Sequence, residues 1–305
     1  MNPLHEISLP GLDGSNPLGF LAALGTWRTV DSLRPGTCMF WKPISGHWAP
    51  VLLVPKQHSE DELTKEIHAE LLKMKDHPVF TFSNNLKLKP ADFAYHADRG
   101  TERFFNENDL ISVAFLAAFG SSVATNEQGD MEDTALRTMS GAGHQHFLKT
   151  MNDLASITTP EQIHSALFET WMYKNEKVGL RWDPSEDKRY ALAWKNPSTE
   201  TTMTQRGANR LAIEALPLFP TAPVGAHLKT TGFTGHKSNN TFFSWPIWDA
   251  QVSLDTGRSL LALRELQTRD SDPDMLRLRG ITAVFRSQRI TTGKFRNFTP
   301  SVQIY

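Results

Sequence analysis

Two histidines beside a glycine-rich turn are the first residues whose spacing suggests chemistry. Residues 140–156 read SGAGHQHFLKTMNDLAS. Side chains two positions apart, such as His144 and His146, diverge by about 200° on a helix and share one side only on a strand. No acidic pair at a matching spacing accompanies them. Three interpretations stay open: a metal-dependent nuclease or hydrolase site, a glycine turn that caps a helix, and a phosphate site in which His146 and Lys149 add positive charge.

A long acid-free loop at residues 225–241 is the strongest candidate for contact with a polyanion. No Asp or Glu occurs between Glu214 and Asp249. Glycines allow the backbone to approach a ligand closely, and Asn and Lys side chains can pair with base edges. The residues predicted to read bases are His236, Lys237, Ser238, Asn239 and Asn240. The alternative interpretation is an ordinary surface loop.

Basic residues elsewhere predict contacts to the nucleic-acid backbone. From Met275 to the C-terminus there is no acid, and phenylalanines alternate with arginines, a mixture that can follow a phosphate chain and stack on bases. The alternative is a β hairpin whose polar face is basic. The predicted backbone contacts, including those near the central loop, are Arg206, Asn209, Arg210, Lys229, His146, Lys149, Arg286, Arg289, Lys294 and Arg296.

Signatures of known catalytic sites are missing from the sequence. It contains no GxxxxGK[ST], HExxH, GxSxG or CxxC motif. The carboxylates Asp183, Glu186 and Asp187 lie in a DPSED turn beside Arg181 and the pair at 188–189, so we expect a solvated, salt-linked turn there. We predict no catalytic residues, no metal and no cofactor.

Composition limits the class of protein. The chain has 305 residues, a formal net charge of -1 and a single cysteine, Cys38. Near-zero charge argues against a free-standing basic nucleic-acid binder, so binding would depend on local patches or on other members of a complex. One cysteine excludes a disulfide framework and fits a reducing cytoplasm. The N-terminus lacks the pattern of a signal peptide, and apolar runs are too short to span a bilayer.

Local patterns predict a mixed α+β fold without a recognisable enzyme superfold. Asn16-Pro17 predicts a helix start, and Ser59 with Glu62 predicts a capping box for a helix at 60–75. Residues 37–56 predict a β pair, and further strands are predicted at 79–82, 180–198, 281–285 and 301–304. Helices are predicted at 161–174, 209–216 and 253–268, a glycine-rich segment that runs into a helix at 140–156, and a loop at 126–140. We expect one compact unit, with an internal boundary near 197–204 between a helix-rich part and a part that contacts DNA.

Three segments resemble one known family. Residues 9–28 read LPGLDGSNPLGFLAALGTWR, in which a proline-glycine turn leads into a helix. Residues 181–198 (RWDPSEDKRYALAWKNPS) and 207–220 (GANRLAIEALPLFP) follow in the same order as in that family. Together they resemble the large-subunit-like proteins of CRISPR type I-U (also called I-G) effector modules. These segments cover about a sixth of the chain.

The resemblance implies a non-catalytic subunit of a Cascade-like surveillance complex that recognises the protospacer-adjacent motif on duplex DNA and assists strand opening. The implied partners are the guide RNA with its backbone and guide-end-binding subunits, target double-stranded DNA, and a helicase-nuclease recruited after target binding. Large subunits often end in a helical bundle, whereas this chain ends in strand-like sequence. The bundle is therefore absent or belongs to a separate small subunit. The rival interpretations are the metal-dependent nuclease or hydrolase and a protein-only scaffold.

Overall fold

The computed structural model describes residues 4–141, 143, 145–176, 178–186, 203–235, 240–268, 272–292 and 295–305. The helices are α1 (Pro17–Leu33), α2 (Glu60–Leu72), α3 (Pro78–Thr81), α4 (Pro90–Glu107), α5 (Leu110–Phe119), α6 (Phe147–Ile157), α7 (Pro160–Phe168), α8 (Arg206–Ile213), α9 (Leu254–Leu261) and α10 (Pro273–Leu278). Short 3₁₀ helices lie at Pro184–Glu186, Leu216–Leu218 and Arg264–Gln267.

The strands form small antiparallel sheets, so the fold is mixed α+β, as the sequence predicts. They are β1 (His5–Ser8), β2 (Cys38–Ile44), β3 (His47–Val54), β4 (Gly120–Thr125), β5 (Met131–Asp133), β6 (Asn175–Glu176), β7 (Met203–Thr204), β8 (Thr221–Val224), β9 (His227–Thr230), β10 (Phe233–Thr234), β11 (Thr241–Trp248), β12 (Ile281–Thr292), β13 (Phe295–Phe298) and β14 (Val302–Gln303). One sheet has the order β1-β3-β2 and the largest runs β10-β11-β12-β13, with β14 also paired to β12. The pairs β4-β5, β6-β7 and β8-β9 stand apart from these.

Helix α1 is the centre of the core. The Asn16 side chain accepts hydrogen bonds from the backbone N–H groups of Leu18 and Gly19, which confirms the predicted helix start. The helix is apolar on nearly every side, and such helices belong inside a protein. One side meets tryptophans of both larger sheets, with Phe20 stacked on Trp41 at a centroid distance of 5.6 Å and Trp27 lying 6.1 Å from Trp248.

The other side of α1 lies directly on α8. A Cβ added at Gly25 would stand 1.9 Å from the backbone oxygen of Leu211, so the two helix backbones are almost in contact. Gly207 of α8 approaches α7 in the same way, since an added Cβ would lie 2.0 Å from the Gln162 oxygen. These two glycines therefore hold three helices at a spacing that no larger residue allows.

The segments that carry the family resemblance contact one another in this core. The Asn16 side chain donates to Asp183 at 3.2 Å, and the Asn209 side chain donates to Glu186 at 3.3 Å. Core residues come from both sides of the expected boundary at 197–204, and β6 pairs with β7 just after it. Residues 197–202 themselves lie outside the described residues.

Several local predictions are confirmed. The pair β2-β3 occupies residues 37–56 as predicted, and Ser59 and Glu62 form the capping box of α2. Strand β12 includes the predicted segment at 281–285, and β14 covers the middle two residues of the segment predicted at 301–304. No helix among the described residues has the length and apolar character needed to cross a bilayer.

Other local predictions are wrong. Residues 79–82 are not a strand, because Pro78 at the first helical position and the His77 ring nitrogen, which accepts from the Val79 N–H, start the helix α3. The expected loop at 126–140 contains β5, which pairs with β4. The described start of 180–198 has no strand at residues 180–182, although the predicted DPSED turn is present as the 3₁₀ helix Pro184–Glu186. The rest of that segment lies outside the described residues.

Helix boundaries also differ from the predictions. The glycine-rich segment at 140–156 runs into a helix as predicted, with α6 beginning at Phe147, whereas the helix expected at 161–174 ends at Phe168. Residues 253–268 divide into α9 and a 3₁₀ helix. These differences arise because a helix end depends on its cap and its packing, which periodicity does not reveal.

Candidate nucleic-acid interface

A cleft of about 840 Å³ opens between the β8-β9 hairpin, the β4-β5 pair and the end of the largest sheet. We call it the arginine cleft. Its charged lining residues are Glu132, Asp133, Arg137, Lys229, Arg264, Arg289 and Arg296, together with His227. Cations therefore outnumber carboxylates among the described residues of the lining, although the whole chain is nearly neutral.

Three guanidinium groups lie near the Asp133 carboxylate in this cleft, and one of them is bonded to it. Arg137 binds Asp133 through two hydrogen bonds, Nε–Oδ1 at 2.7 Å and Nη2–Oδ2 at 2.6 Å. Arg289 donates from Nη1 to the Ala135 oxygen at 2.7 Å, and Arg296 donates to the Arg137 oxygen at 3.4 Å. Asp133 is thus committed to Arg137, whereas Arg289 and Arg296 donate to backbone oxygens among the described residues.

The pKa shifts of these arginines agree with an excess of positive charge in the cleft. Burial and then the neighbouring Arg296 lower the pKa of Arg289 to about 10. Burial and the guanidinium of Arg137 lower the pKa of Arg296. Burial alone would lower the pKa of Arg137. The Asp133 carboxylate has the opposite and larger effect, so the pKa of Arg137 is raised. All three groups stay charged at pH 7, so an anion in the cleft would relieve their mutual repulsion.

One donor of this group has no partner. The Nε atom of Arg289 is buried and makes no hydrogen bond within the described part of the chain. A buried donor without an acceptor costs roughly 1–3 kcal/mol, and more for a charged group. A phosphate oxygen accepts such a donor well, because guanidinium and phosphate form short, charge-assisted bonds. The arrangement is suited to holding an anion with several oxygen atoms.

The rim of the cleft carries further charge. Lys229 is exposed on β9, and Arg264 lies on the 3₁₀ helix at 264–267. His227 contacts Glu132 at 3.2 Å, and the Leu228 N–H also donates to that carboxylate. Glu132 therefore anchors the β8-β9 hairpin, so its charge is directed at the hairpin rather than at a ligand.

The structure brings together three of the residues predicted from sequence, namely Lys229, Arg289 and Arg296. Sequence reasoning does not find Arg137 and Arg264, which complete the group. Arg137 stands four residues after Asp133, a spacing typical of a helical ion pair, but the segment was expected to be a plain loop. Nothing in the sequence around Arg264 distinguishes it from a helix-surface cation.

The predicted base-reading residues lie mostly outside the described part of the chain, since His236, Lys237, Ser238 and Asn239 are not among the described residues. Asn240 is described and exposed. The flanking residues Gly235 and Thr241 both line the arginine cleft. The predicted reader is thus attached at the edge of this cleft. Lys294 also lies outside the described residues.

Three residues that were predicted to contact the nucleic-acid backbone are buried. Their burial does not agree with that predicted role. Asn209 is fully buried and holds Leu180 and Glu186. Arg210 is 1% exposed and binds Glu214 at 2.9 Å and the Leu71 oxygen at 2.8 Å. The guanidinium of Arg286 donates to the Ser244 hydroxyl and to the Leu266 oxygen. These side chains stabilise the core, because a buried polar group needs a partner inside the protein.

The remaining predicted contacts lie away from the cleft. Arg206 donates to the Glu176 oxygen, and Lys149 pairs with Asp153 at 2.8 Å on the exposed side of α6. His146 precedes α6 without capping it. His144 lies outside the described residues, so the interpretations of the 140–149 turn stay predictions. Within the described ranges, no three His, Cys, Asp or Glu side chains gather closely enough to hold a metal ion.

The carboxylates of the DPSED turn are buried, so the predicted solvated turn is wrong. Asp183 is 1% exposed and Glu186 is 5% exposed. Asp183 accepts from Asn16, Tyr173 and the Ser185 N–H. Glu186 accepts from Thr204 and Asn209 and from the Arg181 N–H. Asp187 lies outside the described residues.

Burial raises the pKa of Glu186 from 4.5 to about 7, and nearby Asp183 adds to the rise although the hydrogen bonds oppose it. A raised carboxyl pKa gives stability that is complete below pH 4.5 and is lost as the pH rises toward 7. Each pKa unit corresponds to about 1.4 kcal/mol, so this loss is about 3 kcal/mol. The quantity to measure is the free energy of unfolding of the wild type minus that of Glu186→Gln. We expect this difference to fall by about 3 kcal/mol between pH 4.5 and 7.5.

Urea unfolding at several pH values measures this difference. Subtracting the variant removes the contribution of His77, whose pKa burial lowers and which therefore acts in the opposite direction over the same range. A difference that stays constant with pH would show that folding does not raise the pKa of Glu186.

A comparison with protein-family models finds no match to this chain, and a comparison with curated proteins finds none either.

Proposed function

We propose that this chain is a non-catalytic, nucleic-acid-binding subunit of an RNA-guided CRISPR surveillance complex. The observation that supports nucleic-acid binding is the arginine cleft, where Arg289 and Arg296 lie beside the Arg137–Asp133 ion pair and Lys229 stands at the rim. Such a cleft is matched to a phosphate backbone, and a nearly neutral chain can bind DNA in this way inside a larger particle. The resemblance of residues 9–28, 181–198 and 207–220 supports membership of the complex.

In this proposal the chain binds target duplex DNA in the cytoplasm, recognises the protospacer-adjacent motif and assists strand opening. Base pairing with the guide RNA then reads the rest of the target. The partners are the guide-containing complex with its backbone and guide-end-binding subunits, a separate small subunit, and a helicase-nuclease that is recruited after target binding. The motif is read by residues 236–240, whose flanking residues Gly235 and Thr241 line the cleft.

The motif reader can be tested with Lys237→Ala, Asn239→Ala and Asn240→Ala. One good base contact gives about 1–3 kcal/mol of discrimination, so each change at a true contact should narrow the preference for the correct motif by about tenfold. Affinity for DNA without the motif should change little. The measurement is a competition titration of the assembled complex with guide-matched duplexes that differ only in the motif.

A complex assembled without this chain is the control, and it should show no motif preference. If all three folded variants keep full discrimination, residues 236–240 are not the reader, and the glycine turn at 141–149 becomes the next candidate. If the complex without the chain still discriminates between motifs, the proposed role belongs to another subunit.

The proposal also predicts that the purified chain does not cut nucleic acid with Mg²⁺, Mn²⁺ or Zn²⁺. The sequence contains no acidic pair near His144 and His146 that could complete a metal site. The assay is cleavage of labelled single- and double-stranded DNA and RNA over hours. Metal-dependent cleavage that is lost in His144→Ala or His146→Ala would establish the nuclease interpretation instead.

A further inference from the structure

The shape of the arginine cleft restricts the form of nucleic acid that can use it. The cleft is concave, and its volume of about 840 Å³ lies within the range of roughly 300–1,000 Å³ that is typical of sites for single small molecules. A paired duplex is a convex rod whose bases are stacked inside and whose two backbones are separated by grooves roughly 6 and 12 Å wide. The rim can meet the outside of such a rod, but the interior of the cleft cannot admit it.

The charges lie where only an entering backbone would reach them. Arg137 is 7% exposed, and the Nε atom of Arg289 is buried. Both guanidinium groups are fixed from the protein side, by Asp133 and by the Ala135 oxygen. A phosphate must pass the rim at Lys229 and enter the cleft to contact them.

The rest of the lining suits sugars and bases. Apolar side chains also line the cleft, with Val224 half exposed on β8 and Phe233 buried on β10. The other apolar members are Ala222, Leu228 and Ala262. Apolar surface between fixed cations favours unstacked nucleotides, because their bases and sugars can be buried while their phosphates are paired.

We propose that the arginine cleft binds a single-stranded segment of two or three nucleotides, with one phosphate held by Arg289 and Arg296. The proposal rests on the proposed nucleic-acid function. It assigns the cleft to a strand that has been separated from its partner, whereas the recognised duplex meets the rim and residues 236–240.

Fluorescence anisotropy of the full chain tests the proposal. The probes are a labelled hexathymidine and a labelled hairpin duplex, each titrated at low salt with the wild type and with Arg289→Ala/Arg296→Ala. We expect the single strand to bind at least tenfold more tightly than the duplex, and the double variant to lose this preference. Lys229→Glu, at an exposed position, provides a second variant whose folding does not depend on the cleft interior, and it should weaken single-strand binding about tenfold.

The outcomes separate this inference from the proposed function. If the duplex binds as tightly as the single strand in a salt-dependent way, the single-strand assignment is wrong and the nucleic-acid function stands. If neither probe binds at low salt, both are wrong. If poly-glutamate displaces hexathymidine at equal charge concentration, the cleft is a site for acidic peptides and both proposals fail.

Discussion

Alanine at both Arg289 and Arg296 should lower the affinity of this chain for single-stranded nucleic acid by about 100-fold or more at low salt. A hydrogen bond to a charged group contributes about 1.5–3 kcal/mol, and the double change removes at least two of them. Tenfold in affinity corresponds to about 1.4 kcal/mol. The dependence of log affinity on log salt should also become less steep by about 0.7–0.9 for each phosphate that the variant no longer binds.

Arg258→Ala is the matched control for this pair. Arg258 is exposed on α9, pairs only with Asp255 in the described part of the chain, and does not line the cleft. Its replacement removes one positive charge, so any change it causes measures the general effect of net charge. Binding that falls equally in Arg258→Ala and in the double variant would show that overall charge, and not the cleft, determines affinity.

The replacement Gly25→Ala should destabilise the chain by about 3 kcal/mol or more. Overpacking a filled core typically costs about 1–3 kcal/mol, and here the added Cβ meets backbone instead of a side chain that can rotate away. It would stand 1.9 Å from the Leu211 oxygen and 2.9 Å from the Leu211 carbonyl carbon. The helices α1 and α8 must therefore separate, which disturbs the tryptophan cluster on the far side of α1.

Urea unfolding followed by circular dichroism measures this effect, and Gly100→Ala provides the control. Gly100 is also a buried helical glycine, but its added Cβ meets only the Cδ1 atom of Leu116, at the end of a flexible side chain. Alanine also has a helix propensity better than glycine by about 1 kcal/mol, so this variant should be close to neutral. Equal stability of the two variants would contradict the close approach of α1 and α8.

Short sequence motifs predict those parts of the fold that depend on residues adjacent in sequence. Asn16-Pro17 and Ser59 with Glu62 both mark helix starts where the structure has them, because a cap uses side chains within three residues. The helix α4 is not predicted from the sequence. It buries only Phe93 and Gly100, so few of its side chains belong to the core.

The buried carboxylates could not be predicted, because their partners are distant in sequence. Asp183 is held by Asn16, 167 positions away, and Glu186 is held by Asn209, 23 positions away. A turn rich in Asp, Glu, Lys and Arg is normally solvated, and only tertiary contacts reverse that expectation. The same contacts join the segments that carry the family resemblance, so those residues shape the core and not the cleft.

The candidate site was partly predictable for a similar reason. The absence of acids around Lys229 and around Arg289 and Arg296 is visible in the sequence, and it correctly selects residues that share a cleft. That Arg137 joins them depends on a contact between Arg289 and Ala135 across 154 positions. Burial also divides the predicted group, since Arg286 has the same composition signal as Arg289 and Arg296 and yet lies in the core.

Site-specific photocrosslinking in the assembled complex tests the central claim most directly. A benzoylphenylalanine placed at Val224, which is 50% exposed and lines the arginine cleft, is compared with one at Tyr95, which is 57% exposed and lies outside it. With labelled, guide-matched target DNA bound, nucleic acid held in the cleft predicts a covalent adduct from position 224 and none from position 95. An adduct from position 95 with none from position 224 would contradict the arginine cleft as the nucleic-acid interface.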